Sequence, residues 1–384
     1  MTTAAELIAA ANDANWSSFK SLVLSATPAD IATIGAEWND VMAAVALGVG
    51  THAPAAKSLF TSTMTAFFAA GSDYLTGDSV ANAVSTIANY SIFPATDHLS
   101  VEVNAILNAV PPAIAATVSY NGAVDMLSWI TNNLNNAEVT PAELKNTMIA
   151  LTGKFGPYLP IEAILFHASI LISGNGAFPP TDQTQAAKVL LEAGAPQAST
   201  LTTFDLTSII FSFNFAQGNP EITPAELNST LKVFTSIYGA YADVENILNV
   251  ASSLANNFTG LDYLACVRTL LEAEPANKAS VNMFTLGQLL DSISMNLQNP
   301  EVTPQELHNT IKVFLNHYGA LSDVSLLLNA AAQIAGNDAF SGQQDHLATV
   351  RLLLSAEPAN PSDAGFYVDG VLFNLAANQF NPEV

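Results

Sequence analysis

The sequence predicts an all-α fold: an α-solenoid of stacked helix-turn-helix hairpins, with about nine hairpins and a terminal helix. One phrase recurs about every 80 residues, apolar side chains follow each copy at helical spacing, and no alternating strand pattern lies between the copies. The phrase reads NAEVTPAELKNT from Asn136, NPEITPAELNST from Asn219 and NPEVTPQELHNT from Asn299, and its opening NPEV returns at Asn381.

Each copy opens with the signals of a helix N-terminus. A Thr at the N-cap accepts a hydrogen bond from the backbone N–H at position N3, and a Glu at N3 reaches back to the N–H of the N-cap. A Pro at N1 loses nothing, because that N–H has no partner inside a helix. The carboxylates of these Glu residues are also candidates for acid/base groups or cation ligands, but capping already accounts for their position. The predicted pairs are Thr140 with Glu143, Thr223 with Glu226, and Thr303 with Glu306.

The residues after each cap predict a helix of about four turns with one apolar face. Successive apolar positions are separated by four, three and four residues, which places them on one side of a helix. In the second copy they are Leu227, Leu231, Phe234 and Tyr238. A glycine follows each helix directly, and we expect it to adopt the left-handed conformation of a C-cap. These glycines are Gly156, Gly239 and Gly319.

Three further helical segments complete each unit, and in the second copy they fall at 242–257, 262–275 and 282–298. The clearest units of the array are 136–218, 219–298 and 299–380, while 1–135 holds more divergent repeats. Residues 5–28 predict two short helices joined by a tight turn. A hairpin of this kind buries its apolar face only against neighbours, so one continuous array over 1–384 is expected.

Several segments resemble ankyrin repeats. AELIAAANDANWSSFKSLVLSATP at 5–28 resembles the opening of such a repeat, and AAKVLLEAGAP, CVRTLLEAEPAN and TVRLLLSAEPAN, from Ala186, Cys266 and Thr349, resemble its second helix and exit. The units here are longer than the 33 residues of the family, and its Thr-Pro-Leu-His opening is absent. The resemblance implies a scaffold that binds other proteins.

Composition narrows the classes of partner. Half of the 384 residues are apolar, and 10 basic against 33 acidic residues give a net charge of −23. Such a chain repels phosphate backbones and anionic membranes, so no nucleic acid partner is expected. The N-terminus lacks the basic start of a signal peptide, and no run of about 18 apolar residues occurs. We therefore expect no membrane insertion, and a cytoplasmic location by default.

No catalytic, cofactor-binding or metal-binding residue is predicted. The six histidines do not show zinc-helix spacing, and we expect them at the surface or the edge of the core. The single cysteine, Cys266, excludes an intrachain disulfide. Asp-containing loops at 71–79 and 336–345 lack the spacing of an EF-hand and are interpreted as solvated turns, with calcium binding left open. Phe211, Phe213 and Phe215 could line a groove, although their spacing favours core packing.

Three functions remain open: a scaffold that binds another protein, a protein that assembles with copies of itself, and an enzyme with a site built across the helices. We favour self-assembly, because the last predicted helix is as apolar as the interior ones and is followed by NPEV without the helix that this phrase normally begins. A second copy of the chain is therefore the expected partner, in an oligomer or filament. The predicted interface comprises Phe366, Val371, Leu372, Phe373, Leu375 and Phe380.

Overall fold

The computed structural model describes residues 1–52, 56–89, 98–133, 139–173, 183–220, 222–257, 261–336, 346–356 and 365–377. These residues are overwhelmingly helical and contain no β-strand, which confirms the all-α prediction. The chain divides into two compact units, Met1–Pro196 and Gln197–Val384.

The first unit contains twelve described α-helices, among them the two short helices predicted within 5–28 and the capped helix predicted after Thr140. A π-helical turn, His98–Val103, precedes α7. The helices are α1 (Ala4–Asn12), α2 (Trp16–Ser25), α3 (Pro28–Ile34), α4 (Trp38–Thr51), α5 (Lys57–Gly71), α6 (Gly77–Asn89), α7 (Asn104–Ala109), α8 (Pro112–Ala115), α9 (Tyr120–Asn132), α10 (Pro141–Phe155), α11 (Ile161–Ser173) and α12 (Gln183–Gly194).

These helices pack in two layers. In one layer α1 contacts α4, α4 contacts α6, α6 contacts α9, and α9 contacts α11. In the other, the contacts run from α2 to α5, α7, α10 and α12 in turn. The core lies between the layers, where the Phe67 ring of α5 is 5.3 Å from Trp38 of α4 and 5.7 Å from Phe19 of α2. Consecutive helices also pack on each other across the layers, as α11 does on α12, so an apolar face is buried both by the adjoining helix in the chain and by neighbours in its layer.

The second unit repeats this arrangement. Its helices are α13 (Thr207–Ala216), α14 (Pro224–Tyr238), α15 (Val244–Ala255), α16 (Leu264–Leu271), α17 (Met283–Met295), α18 (Pro304–Tyr318), α19 (Val324–Ala335), α20 (Leu347–Leu354) and α21 (Gly365–Ala377). One layer runs α13, α15, α17, α19 and α21, and the other runs α14, α16, α18 and α20. The three helical segments predicted within 242–298 coincide with α15, α16 and α17.

The recurring helices α10, α14 and α18 begin as their sequences dictate. In α14 the N–H of Glu226 donates to Thr223 Oγ1 at 3.3 Å, and the N–H of Thr223 donates to Glu226 Oε2 at 3.0 Å. The same reciprocal pair joins Thr140 to Glu143. It also joins Thr303 to Glu306. Two of the N–H groups that a helix start leaves without partners are satisfied in each copy.

The predicted left-handed C-caps were wrong. Gly156, Gly239 and Gly319 all have right-handed helical angles, with φ of −46°, −55° and −56°. Each helix instead continues into a 3-10 turn. At Gly239 the reason for glycine is space, because a Cβ there would lie 2.7 Å from the carbonyl oxygen of Ala273. Close approach of another segment, rather than backbone handedness, therefore requires this glycine.

The expectation for the histidines was wrong at three positions. His98, His167 and His346 are buried. His167 Nε2 lies 3.1 Å from the hydroxyl of Ser128 on α9, and burial lowers the pKa of His167 to about 4. The ring is therefore neutral at pH 7 and serves as a polar contact between α9 and α11. Periodicity could not distinguish this burial from a position at the edge of the core.

Candidate functional site

The predicted interface lies on α21, which packs against α19 along one side. Val371 is 4% exposed, and the Asn374 side chain donates through Nδ2 to the carbonyl oxygen of Ala332 in α19 at 2.7 Å. On other sides of the same helix, Leu372 is 59% exposed and Phe373 is 75% exposed. One stretch of α21 thus provides both a contact with its own unit and an apolar surface, which we name the α21 face: Val368, Leu372 and Phe373.

Helix α17 is the equivalent of α21 in the preceding repeat, and its contacts show which direction the α21 face points. In α17, Ser292 Oγ lies 2.8 Å from Ser252 of the preceding helix α15. Its neighbour Asp291 accepts hydrogen bonds at Oδ1 from side chains of the following helix α19, at 2.9 and 3.1 Å. In α21 the equivalents of these two residues are Asn374 and Phe373. Asn374 contacts the preceding helix, so Phe373 points to the side on which a following helix packs in α17.

The members of the predicted interface therefore differ. Leu372 and Phe373 are exposed, Leu375 is half-buried, and Val371 is buried within the unit, where it supports α21 rather than offering a free surface. The Phe366 side chain and Phe380 lie outside the described residues. The sequence prediction missed Val368, which is 41% exposed. Its spacing of four residues from Leu372 places both on one face of the helix and could have identified it.

Among the capping glutamates, Glu306 also contacts a second carboxyl group. Asp262, just before α16, accepts a hydrogen bond at Oδ1 from the N–H of Leu264 at 2.7 Å and shares a hydrogen bond with Glu306. Burial raises the pKa of Asp262 to about 6, and the bond to Glu306 adds to the effect. Burial also acts to raise the pKa of Glu306, but the N–H of Thr303 and the contact with Asp262 hold it below its usual value. The pair shares one proton in mildly acidic solution.

This pair predicts a pH dependence of stability. The folded-state pKa of Asp262 is raised above its ordinary 3.8, so its contribution is fully present below about pH 4 and is lost as the pH rises through about 6. We expect Asp262→Asn, which cannot ionise, to remove that loss. Because Asp262 is only half-buried, the wild type should lose about 1 kcal/mol relative to the variant between these limits. Urea unfolding of both proteins at several pH values measures the difference, and parallel pH profiles would contradict the shared proton.

Other chemistry-bearing residues have structural surroundings. Cys266 is fully buried, and burial raises the pKa of its thiol to about 12, so it is a thiol rather than a thiolate at pH 7. Within the described ranges, no three His, Cys, Asp or Glu side chains are grouped closely enough to hold a metal ion. Of the two Asp-containing loops, 71–79 is described, whereas 337–345 lies outside the described residues. In the part of the chain that is described, no helix combines the length and apolarity needed to cross a membrane.

Comparison of the sequence with protein-family models finds no match. Comparison with curated proteins also finds none. We therefore infer function from the geometry of this chain.

Proposed function

We propose that this chain is a non-enzymatic structural scaffold that acts through protein–protein contacts and assembles head-to-tail with copies of itself through the α21 face. The layered helix contacts of each unit support an ankyrin-like solenoid of stacked hairpins, in which every new helix packs on an existing one. Such an architecture accepts a helix from another molecule by the same contacts that it uses internally.

The observation that carries this proposal is the exposure of Leu372. The residues at the same position in the two preceding 80-residue repeats, Ile210 and Leu290, are essentially fully buried, whereas Leu372 is 59% exposed. The same repeat position is therefore core in two copies and surface in the third. Burying one such side chain contributes about 1.5–3 kcal/mol, so covering Leu372 and Phe373 together provides a substantial part of a contact.

A second copy of the chain is the occupant that fits best, through its helix α1. Helix α1 packs on α4 within the first unit, as α21 packs on α19 within the second, and it exposes the small side chains of Ala5 and Ala9. Small residues allow two helices to approach closely, and Phe373 can then pack over them. Because α1 and α21 are different surfaces, the contact is heterologous and can continue from copy to copy as a filament.

The net charge of −23 opposes this contact, because copies of the chain repel each other. Salt screens that repulsion and strengthens apolar burial only slightly at moderate concentration. Assembly should therefore increase as the ionic strength rises, which is the reverse of an association driven by opposite charges.

We expect light scattering of the wild-type chain to give a mass above 40.2 kDa that rises with protein concentration. Leu372→Asp with Phe373→Asp should return the mass to that of the monomer, since burying two carboxylates costs more than the contact gains. Phe284→Asp is the matched control, because Phe284 is also an exposed aromatic residue, at 68%, but lies on α17. Equal loss of assembly in both variants would contradict an interface on α21.

Mixing two blocked variants tests the head-to-tail geometry. Ala9→Glu on α1 should also give a monomer, since it places a charge where the α21 face packs. An equimolar mixture with the doubly substituted α21 variant retains one intact α1 and one intact α21 face, so we expect dimers of about 80 kDa and no longer species. A wild-type chain that remains monomeric at every protein and salt concentration would overturn the proposal.

The alternative function is a monomeric adaptor for a different protein. Phe204 and Phe284 occupy equivalent positions, 15 residues before Asn219 and Asn299, and both are largely exposed. Exposed aromatic residues repeated along one array are typical anchors of protein interfaces. A monomeric wild type would favour this adaptor function, in which Phe204 and Phe284 rather than Phe373 contact the partner.

A further inference from the structure

A groove in the first unit runs between α6 and α9. The two helices lie parallel: at their N-terminal ends Asp78 Oδ1 accepts the N–H of Ser119 at 2.7 Å, and at their C-terminal ends the Asn133 side chain donates to the carbonyl oxygen of Ala88 at 2.9 Å. Between these contacts the helix surfaces leave an open cavity of about 260 Å³. Its size suits a single side chain or a small polar ligand.

The lining of the groove is acidic and neutral-polar, with one aromatic wall. Asp78 and Asp125 face it from α6 and α9, and Trp129 closes one side. Asn82 and Ser85 also line it from α6, and the described residues of the lining include no Lys, Arg or His. Two carboxylates without a basic neighbour exclude an anionic ligand and raise the local concentration of cations.

Three features favour a cation over an uncharged ligand. An indole face attracts cations more strongly than any other aromatic ring, and Trp129 is only partly buried. Trp129 and Asn89 lie near the C-terminal ends of α9 and α6, where the helix dipoles present partial negative charge. Ser85, which lines the groove, is 7% exposed as a residue, and its buried hydroxyl oxygen has no hydrogen-bond partner among the described residues, which leaves it available to an N–H group that enters the groove.

The backbone keeps one carboxylate in place. A Cβ on Gly122 would lie 2.5 Å from Asp78 Oδ1, so glycine leaves room for this side chain where it lies against α9. The Ser119 N–H holds Oδ1, whereas Oδ2 remains for a ligand. Asp125, which is exposed on α9, is the second carboxylate that lines the groove.

We propose that this groove binds a guanidinium or ammonium group, presented by the Arg or Lys side chain of a basic segment of a partner protein. The cation lies over the Trp129 indole and beside Asp125, one turn earlier on α9, while Asp78 adds negative charge at the other end of the groove. Recognition by these residues does not depend on assembly through the α21 face.

Trp129 provides the readout. The chain has three tryptophans, and the other two, Trp16 and Trp38, are buried in the core. We expect a tetra-arginine peptide, titrated into the full chain carrying Leu372→Asp and Phe373→Asp, to change the Trp129 emission saturably. Asp125→Asn should weaken binding about five- to tenfold, the range for one partly exposed charge contact. Raising the salt from about 0.05 to 0.3 M should weaken it further.

The control for general charge attraction is Glu37→Gln, which removes the same charge from an exposed position that does not line the groove. It should change the affinity less than twofold. Equal weakening by Glu37→Gln and Asp125→Asn would overturn the site, because the peptide would then respond to net charge alone. So would peptide binding seen by calorimetry without any change in Trp129 emission. Methyl glucoside, which is polar but uncharged, tests the charge of the ligand. Saturable binding of this compound in place of the peptide would overturn the assignment of a cationic ligand.

Discussion

Phe213→Ala is expected to lower the free energy of unfolding by about 3–5 kcal/mol, whereas Phe215→Ala, on the same helix, should change it by less than about 0.5 kcal/mol. Phe213 is fully buried, and its ring centroid lies 5.7 Å from that of Phe234 on α14. Removing it leaves a cavity between the two layers of the second unit and separates α13 from the capped helix. Phe215 is 69% exposed and loses little contact.

Urea unfolding followed by far-ultraviolet circular dichroism measures the free energy of unfolding of both variants. Hydrogen exchange over 207–238 shows which helices lose stability. Exchange should rise first in α13 and α14 for Phe213→Ala and remain as in the wild type for Phe215→Ala. Similar losses of stability in the two variants would contradict the orientation of α13, since a rotation of this helix would exchange the buried and exposed sides.

Gly239→Ala should destabilise the second unit by about 1–3 kcal/mol, the usual cost of overfilling a packed site. The new methyl group would approach the carbonyl oxygen of Ala273 to 2.7 Å, and backbone cannot move aside as a flexible side chain can. Relief requires the segment after α16 to shift away from the end of α14. That segment also donates the Ala276 N–H to the carbonyl oxygen of Ala240 at 3.1 Å, a bond that such a shift would lengthen.

The matched control is Gly319→Ala, at the same repeat position on α18. Among the described residues, a Cβ there would meet the Leu315 side chain alone, at ordinary contact distance, and the right-handed helical angles of Gly319 suit alanine. Because alanine has less freedom than glycine in the unfolded chain, we expect Gly319→Ala to be neutral or to stabilise by up to about 1 kcal/mol. Thermal unfolding of the two variants compares them directly. If both were equally harmful, a left-handed C-cap at these glycines would have to be reconsidered.

The helix starts could be predicted because their signals are local. Thr223, Pro224 and Glu226 lie within four positions, and the bonds that they form depend on no distant segment. The apolar stripe of α14 is likewise a matter of spacing along one helix, so Leu227, Leu231 and Phe234 are buried as the pattern indicates. The candidate interface was harder to predict from the sequence. Periodicity shows that a face of α21 is apolar, but it does not show which side of the helix α19 covers.

What this sequence determined by itself is the helical content, the capped starts of α10, α14 and α18, and the apolar faces, all of which depend on contacts within about one or two helical turns. Only the tertiary structure decided that Gly239 serves a close approach to Ala273, that Asp262 shares a proton with Glu306, and that Val371 is covered while Phe373 is not. Gly239 and Ala273 lie 34 residues apart in the chain, and Asp262 and Glu306 lie 44 apart. The burial of Val371 depends on the neighbouring helix α19. Which chain segment packs against a given face is a property of the fold, and no local pattern specifies it.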